Sequence, residues 1–503
     1  MLFNSPVYYL LFLPVAAVVY FRLTRLRHAG WAIAWLTLAS LFFYAYWNWR
    51  YLPLLLLSVA VNFGLGRWMK PEGRSEARLL RWRVNRRGLA LLAGILFNLG
   101  LLGYFKYVDF FLANVNALSG RAIPLTGIVL PLAISFFTFQ QIAYIVDCYR
   151  QEVDEHSFTH YALFVSFFPQ LIAGPIVHHR QMMPQFGKYP APNWDHIATG
   201  LAIFVLGLFK KVFIADTFSI WANAGFADVS APGLRDAWIA TASYSLQIYY
   251  DFSGYSDMAV GAALMFNIRL PINFNSPYQA VSMREFWSRW HMTLSGWLRD
   301  YLYVPLGGNR AGPARTFVNV FVTFLLGGLW HGAGWTFVAW GALHGAAVCI
   351  ERGWAALRLP ALPRAAAWLL TLAFVHVAWV FFRAETLADA GRMLRGMVGA
   401  NGVHSTLRFE SGFSQMTRWV VEDLAGLRFG SPRSEEPLVT IAVFAAIALF
   451  APNALRICGY LEGGGRLALR RDWLWAVALG LLTGIGMTVS IVGRQQEFLY
   501  FQF

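Results

Sequence analysis

Along this 503-residue chain the charged positions are sparse and gathered, while the apolar ones form long blocks. The first four blocks run over residues 6–21, 31–47, 51–66 and 88–105, lengths suited to helices crossing a hydrocarbon core of roughly 30 Å. Further spans are predicted near 197–214, 237–250, 254–268, 314–329, 335–350, 366–382, 437–452 and 473–492. Two stretches are interrupted: 123–146 by Pro124 and Pro131, and 161–177 by Pro169, Gly174 and Pro175. Such breaks suit re-entrant or discontinuous helices, which need protein or a water-filled cavity to satisfy the freed backbone groups. The pattern predicts an all-α polytopic membrane protein with about 11–13 membrane-embedded helices. It reads as one integral-membrane domain over 1–503, with 384–436 as a polar insert of loop or small surface helices.

Composition agrees: 57% of residues are hydrophobic and 13% charged, against about 25% charged in soluble domains. The net charge of +15 (41 Lys+Arg, 26 Asp+Glu) invites a nucleic-acid reading, but its placement argues against one. Arg22, Arg25 and Arg27 lie between the first two blocks, and eight Lys/Arg lie from Arg67 to Arg87, between the third and fourth. Two crossings separate these clusters, so both fall on one side, the cytoplasmic one, with the N-terminus outside. No basic face interleaved with aromatics on a soluble module is present, so no nucleic-acid partner is expected. Cys148, Cys349 and Cys458 have neither CxxC nor metal-ligand spacing. With no basic stretch before it and no small-residue cleavage site after it, the first block reads as an uncleaved transmembrane helix.

The candidate chemistry begins in "GGLWHGAGW", Gly327 to Trp335. His331 sits within residues 316–350, 35 positions without Asp, Glu, Lys or Arg. As helix that length gives about 52 Å, short of two full crossings, and glycines 327, 328, 332 and 334 mark the break. An ionisable residue there is a functional candidate; Trp330 and the glycines favour a pocket over a merely hydrogen-bonded neutral histidine. His344, in "WGALHG", reads as a buried core histidine. In "MREFWSRWHMTLSGWLRDYLYVPLGGNR", Met283 to Arg310, a continuous helix would place Phe286, Trp287, Trp290, Leu294, Trp297, Leu298 and Tyr301 on one face. Arg284, Ser288, His291, Ser295 and Arg299 would form a polar stripe elsewhere. An interfacial anchor explains the tryptophans but does not need His291. In "YYDFSGYSDMAVG", Asp251, Ser253 and Asp257 read either as caps at the start of an apolar helix or as cavity lining. Adjacent His178 and His179 lack acidic partners, so no metal site is expected. No GxSxG, Walker loop, HExxH or dinucleotide fingerprint occurs in a suitable context.

Taken in order, "PLAISFFTFQQIAYIVDCYR", "FPQLIAGPI", "KKVFIADT", "DFSGYSDMA", "FWSRWHMTLSGWLRDYLYVPLGGNR", "GGLWHGAGWTFVAWGALHG" and "WVFFRAETLADA" resemble bacterial members of the membrane-bound O-acyltransferase family over nearly the whole chain. The resemblance implies a ring of helices around a tunnel joining the cytoplasm to the outer face. It makes His331, in the "WHG" motif, the catalytic histidine, and His291, in "RWH", a second functional position. Trp330, Trp287, Trp290, Ser288, Arg289, Arg299, Asp300, Asn309, Asp251, Ser253, Asp257, Gln170 and His344 are candidates for lining the substrate path. The implied reaction moves acetyl from a cytoplasmic thioester, acetyl-CoA, across the bacterial inner membrane onto an exported polysaccharide such as alginate, with a periplasmic partner protein and no bound cofactor. A neutral imidazole suits general-base work because its pKa lies near working pH; acyl-imidazole and acyl-serine routes stay open. The rivals are D-alanyl or other acyl transfer to a cell-wall polymer, a non-catalytic transporter or flippase, and a scaffold. A transporter would favour paired intramembrane carboxylates or repeated halves, and no repeat is seen.

Overall fold

In hydrocarbon a backbone amide has only its own chain to bond to, and the described residues contain helices and no strand. The structure, a computed structural model, describes residues 1–26, 29–70, 86–153, 157–172, 174–188, 191–227, 229–403, 436–462, 472–492 and 498–499. Much of the 67–87 basic cluster, most of the 384–436 insert and Arg27 lie outside them. Six helical runs are long and apolar enough to cross a membrane by length and composition: Val7–Arg25, Gly30–Trp68, Arg86–Ser119, Trp194–Ala227, Arg364–Arg383 and Trp473–Ile491. The chain is an all-α, multi-pass membrane protein. It divides into two compact units, one of residues 1–2, 7–201 and 259–271, the other of 3–6, 202–258 and 272–503.

The first unit holds α1 (Leu13–Arg25), α2 (Ala29–Asn48), α3 (Leu52–Trp68), α4 (Arg86–Leu102), α5 (Val108–Ser119), α6 (Ile134–Arg150), α7 (Phe158–Ser166), α8 (Phe168–Leu171) and α9 (His179–Met182). Several of its buried polar groups pair with one another. Asn62 and Asn98 exchange amide hydrogen bonds at 3.2 and 2.6 Å. Gln141 donates to Ser58 at 2.7 Å and accepts from the Tyr161 hydroxyl at 3.1 Å. The predicted interruptions are real, and each is satisfied by protein. Residues 120–131 form no helix, and α6 starts only at Ile134; Asp109 of α5 accepts from the Thr126 and Gly127 amides at 2.7 and 3.0 Å. Where α7 gives way to α8, Gln170 donates to the Phe164 carbonyl at 2.6 Å and Ser40 accepts from the Phe168 amide at 3.1 Å.

In the second half of the chain lie α10 (Trp194–Phe209), α11 (Asp216–Ala227), α12 (Leu234–Met265), α13 (Met283–Trp287), α14 (Met292–Leu298), α15 (Pro313–His331) and α16 (Trp335–Ala356). They are followed by α17 (Arg364–Arg383), α18 (Leu387–Met397), α19 (Glu436–Phe450), α20 (Ala454–Ile457) and α21 (Trp473–Val492). Two expectations change. The spans predicted at 237–250 and 254–268 are one 32-residue helix, α12, so Asp251, Ser253 and Asp257 lie in mid-helix and do not cap its start. They survive there because α12 crosses the preceding chain closely: a Cβ on Gly207 would lie 2.6 Å from the Gly254 carbonyl oxygen. At that approach Lys210 reaches Asp257 at 2.7 Å, and Lys211 reaches both Asp216 and Asp251 at 2.7 Å. A π-helical turn over Lys210–Ala215 carries both lysines. The second change concerns Met283–Tyr301, which is broken between α13 and α14 and is not continuous.

Removing one member of a buried ion pair strands the other charge. Lys210→Met or Asp257→Leu alone should therefore cost about 3–5 kcal/mol, while the double variant recovers most of the loss; thermal unfolding of the purified protein in detergent measures both.

Candidate active site

The turn between α15 and α16 is shaped by two glycines that leave the helices no room for side chains. A Cβ on Gly328 would lie 2.4 Å from the Phe337 carbonyl oxygen, and one on Gly341 2.5 Å from the Phe324 carbonyl oxygen. The close crossing sets the last residue of α15, His331, against the first turns of α16. His331 is 4% exposed. Its ring is bordered edge-on by Trp330, Trp340 and Phe382, with centroids at 5.0, 5.1 and 5.3 Å.

His291 stands 6.3 Å from His331, ring to ring, and is fully buried. It interrupts α13 and α14 in the left-handed region, at φ 42° and ψ 53°. A side chain there costs roughly 1–2 kcal/mol, and such strain persists where flanking bonds impose it. The flanking bonds are present: Met292 donates to the Asn273 carbonyl at 3.0 Å and Asn275 to the Arg289 carbonyl at 2.9 Å. Thr293 also donates to the Asn273 side chain at 2.6 Å. The turn aims the imidazole at Phe252, 4.7 Å away and edge-on.

A cavity of about 440 Å³ opens between α13–α14 and the α15–α16 pair. His331, Trp287, Trp340, Ser288, Ser295 and Tyr303 line it, together with Arg284, Arg299 and Arg352; among the described residues no carboxylate does. Arg284 is held by Glu351 at 2.5 Å and Arg299 by Asp300 at 2.7 Å.

Of the predicted site residues, the cavity therefore gathers His331, Trp287, Ser288 and Arg299, with Trp330 and His291 as ring neighbours of His331. The others are elsewhere. Asp251 and Asp257 are committed to lysines, and Asp251 also accepts from the Leu499 amide at 2.9 Å. Ser253 is buried in mid-α12. Trp290 packs on Phe274 and Trp379 at 5.0 and 4.9 Å. Arg289 pairs with Glu285 at 2.7 Å, and Asn309 lies on an exposed turn. Gln170 belongs to the first unit. His344 accepts from the Trp287 indole N–H at 3.2 Å.

A profile of the MBOAT, membrane-bound O-acyltransferase family, matches residues 149–388. The peptidoglycan O-acetyltransferase of Helicobacter pylori is 42% identical to this chain, covering 100% of it and 98% of that relative. The chain belongs to the membrane-bound O-acyltransferase family. The probable alginate O-acetylase AlgI of Pseudomonas aeruginosa is 39% identical over 86% of the chain and 79% of its own length. The teichoic acid D-alanyltransferase of Streptococcus thermophilus is 28% identical over 44% of the chain and 57% of its own length. An O-acyltransferase is thus established, and an aromatic-walled cavity with one imidazole and three guanidinium groups is the site at which its chemistry is best sought.

Sequence reading missed several parts of this membrane-bound O-acyltransferase. Arg352 lies two positions beyond the uncharged run that drew attention to His331, after Glu351, and Lys210 and Lys211 sit inside an apolar block, where ionisable groups merit a search for partners. In the C-terminal stretch, Phe498 stacks on Tyr255 at 4.6 Å. Residues 493–497 and 500–503 of that stretch lie outside the described residues.

Because Phe337 and Phe324 present backbone oxygens to the crossing, Gly328→Ala and Gly341→Ala should each cost about 1–3 kcal/mol through overpacking. Gly327→Ala meets only the flexible Leu298 side chain, at 3.2 Å, and should lower the unfolding temperature less; thermal melts of the three variants decide this.

Proposed function

We propose that this enzyme transfers an acetyl group from a cytoplasmic thioester, acetyl-CoA, to a hydroxyl of an exported cell-envelope polysaccharide, with His331 as the general base. The carrying observation is the cavity itself: it places one imidazole in an aromatic enclosure that three arginines also border. Arginines suit the phosphate groups of CoA, since guanidinium donors pair with phosphate oxygens in a fixed fork. Among the described residues no carboxylate lines the cavity, and Glu351 and Asp300, which pair with Arg284 and Arg299, stand outside its lining.

The step balances as follows. His331 takes the proton of the acceptor hydroxyl while its oxygen attacks the thioester carbonyl; the C–S bond breaks, and the thiolate leaves and takes the proton from the imidazolium. Trp330, Trp340 and Phe382 exclude water, which protects the thioester from hydrolysis. His291, held by a strained and strapped turn beside Trp330 (6.3 Å between rings), positions the catalytic edge of the site.

The relatives' names guide the choice of donor and acceptor. Two name O-acetylation and cover 79% or more of their own length, whereas the D-alanyl relative matches 44% of this chain. Acetyl is therefore favoured over D-alanyl, and peptidoglycan and alginate are the first acceptors to test. The acceptor lies outside the cytoplasmic membrane, and the proposed periplasmic partner protein presents its hydroxyl to the enzyme.

Reconstituted in liposomes with labelled acetyl-CoA on one side and acceptor on the other, the enzyme should transfer label. His331→Ala should lower the rate by about 100-fold or more with an unchanged unfolding temperature. A folded His331→Ala variant transferring at the normal rate would remove His331 from the chemistry, and intact donor crossing the membrane would favour a transporter.

A further inference from the structure

We propose that His344 is a positioning residue that limits the length of the acyl chain by fixing the Trp287 indole as a wall of the cavity. The inference rests on His331 marking the acyl end of that cavity.

His344 does not itself line the cavity, but it is completely buried against two residues that do, Trp287 and Trp340. Its Nδ1 accepts from the Trp287 indole N–H at 3.2 Å, which makes the ring neutral with its proton on Nε2. Trp340 packs on the same ring at 4.7 Å, Phe374 meets it edge-on at 5.4 Å and Phe286 lies parallel at 6.3 Å. The imidazole is thus immobilised on several sides. Among the described residues its Nε2 has no hydrogen-bond partner. A buried polar atom in that state costs stability, which an apolar filler would avoid. Packing alone therefore does not explain a histidine here, and the bond to Trp287 does.

Trp287 and Trp340 both line the cavity, 5.7 Å apart and steeply inclined, and Trp340 also borders His331. The first atoms of an acyl chain whose carbonyl sits at His331 run along these two indoles. An indole pinned at its N–H cannot swing aside for extra methylenes; one released from His344 can turn about its side-chain torsions and open the wall. A single methylene in a shaped pocket is worth roughly 10–200-fold in discrimination, so the release should be legible in donor preference.

The full-length enzyme is assayed with acetyl-CoA and butyryl-CoA, and the ratio of the two kcat/KM values is compared among variants shown by thermal unfolding to be folded. His344→Leu removes the acceptor and Trp287→Phe removes the donor. Both should raise the butyryl-to-acetyl ratio about tenfold or more. His344→Asn, which keeps an acceptor oxygen, should leave it near the wild-type value. If His344→Leu does not fold, His344→Phe, which keeps an aromatic filler but no acceptor, takes its place and should raise the ratio likewise. An unchanged ratio in the folded variants, or an equal shift with Asn, overturns the proposal. Should His331→Ala be inactive while the ratio stays fixed, only this inference falls. Should His331→Ala be fully active, the function proposed for the cavity falls first.

Discussion

The crossing of α15 over α16 at Gly328 and Gly341, where backbone touches backbone, is the constraint on which the site depends. It brings the end of one helix against the start of the next, so a histidine from the first and a tryptophan and a second histidine from the other share one aromatic cluster. Neither helix is among the six runs long and apolar enough to cross a membrane by length and composition. Glycine, threonine and tryptophan dilute their apolar character, and these residues permit close approach and wall the cavity.

Charge is handled differently along α12 and at the cavity. Along α12 the carboxylates are matched to lysines at contact distance, a pairing made possible by the neighbouring Gly207–Gly254 approach. Such pairs hold helices in register and leave little free charge for catalysis. At the cavity three arginines join the lining and, among the described residues, no carboxylate does, although Glu351 and Asp300 pair with Arg284 and Arg299 from outside it. In the proposed reaction these arginines would meet the phosphates of the donor, and the imidazole of His331 would stand in the aromatic part of the cavity.

Much of this was legible in the sequence, for reasons that also explain the rest. His331 stood out because an uncharged run too short for two full crossings and broken by four glycines must turn, and the turn falls where the histidine is. The interruptions at 123–146 and 161–177 were legible because proline removes a donor whatever the surroundings. His291 was singled out by a helical wheel drawn through a helix that does not exist: the polar stripe was real, but the left-handed turn at His291 is imposed by bonds to Asn273 and Asn275, which periodicity does not register. Asp251 and Asp257 looked like caps because their lysine partners lie some forty residues earlier, and only the fold brings them together. His344 looked like inert core for the same reason, its partner Trp287 being 57 positions away.

The central claim is that the acyl group is transferred at His331, within the cavity bounded by Trp287 and Trp340. A structure of the enzyme bound to a non-transferable thioether analogue of acetyl-CoA tests it most directly. The account predicts the analogue's carbonyl beside the His331 imidazole and its phosphates among Arg284, Arg299 and Arg352. An analogue bound with its carbonyl remote from His331, for instance in the apolar cavity around Trp238 and His376, would contradict it.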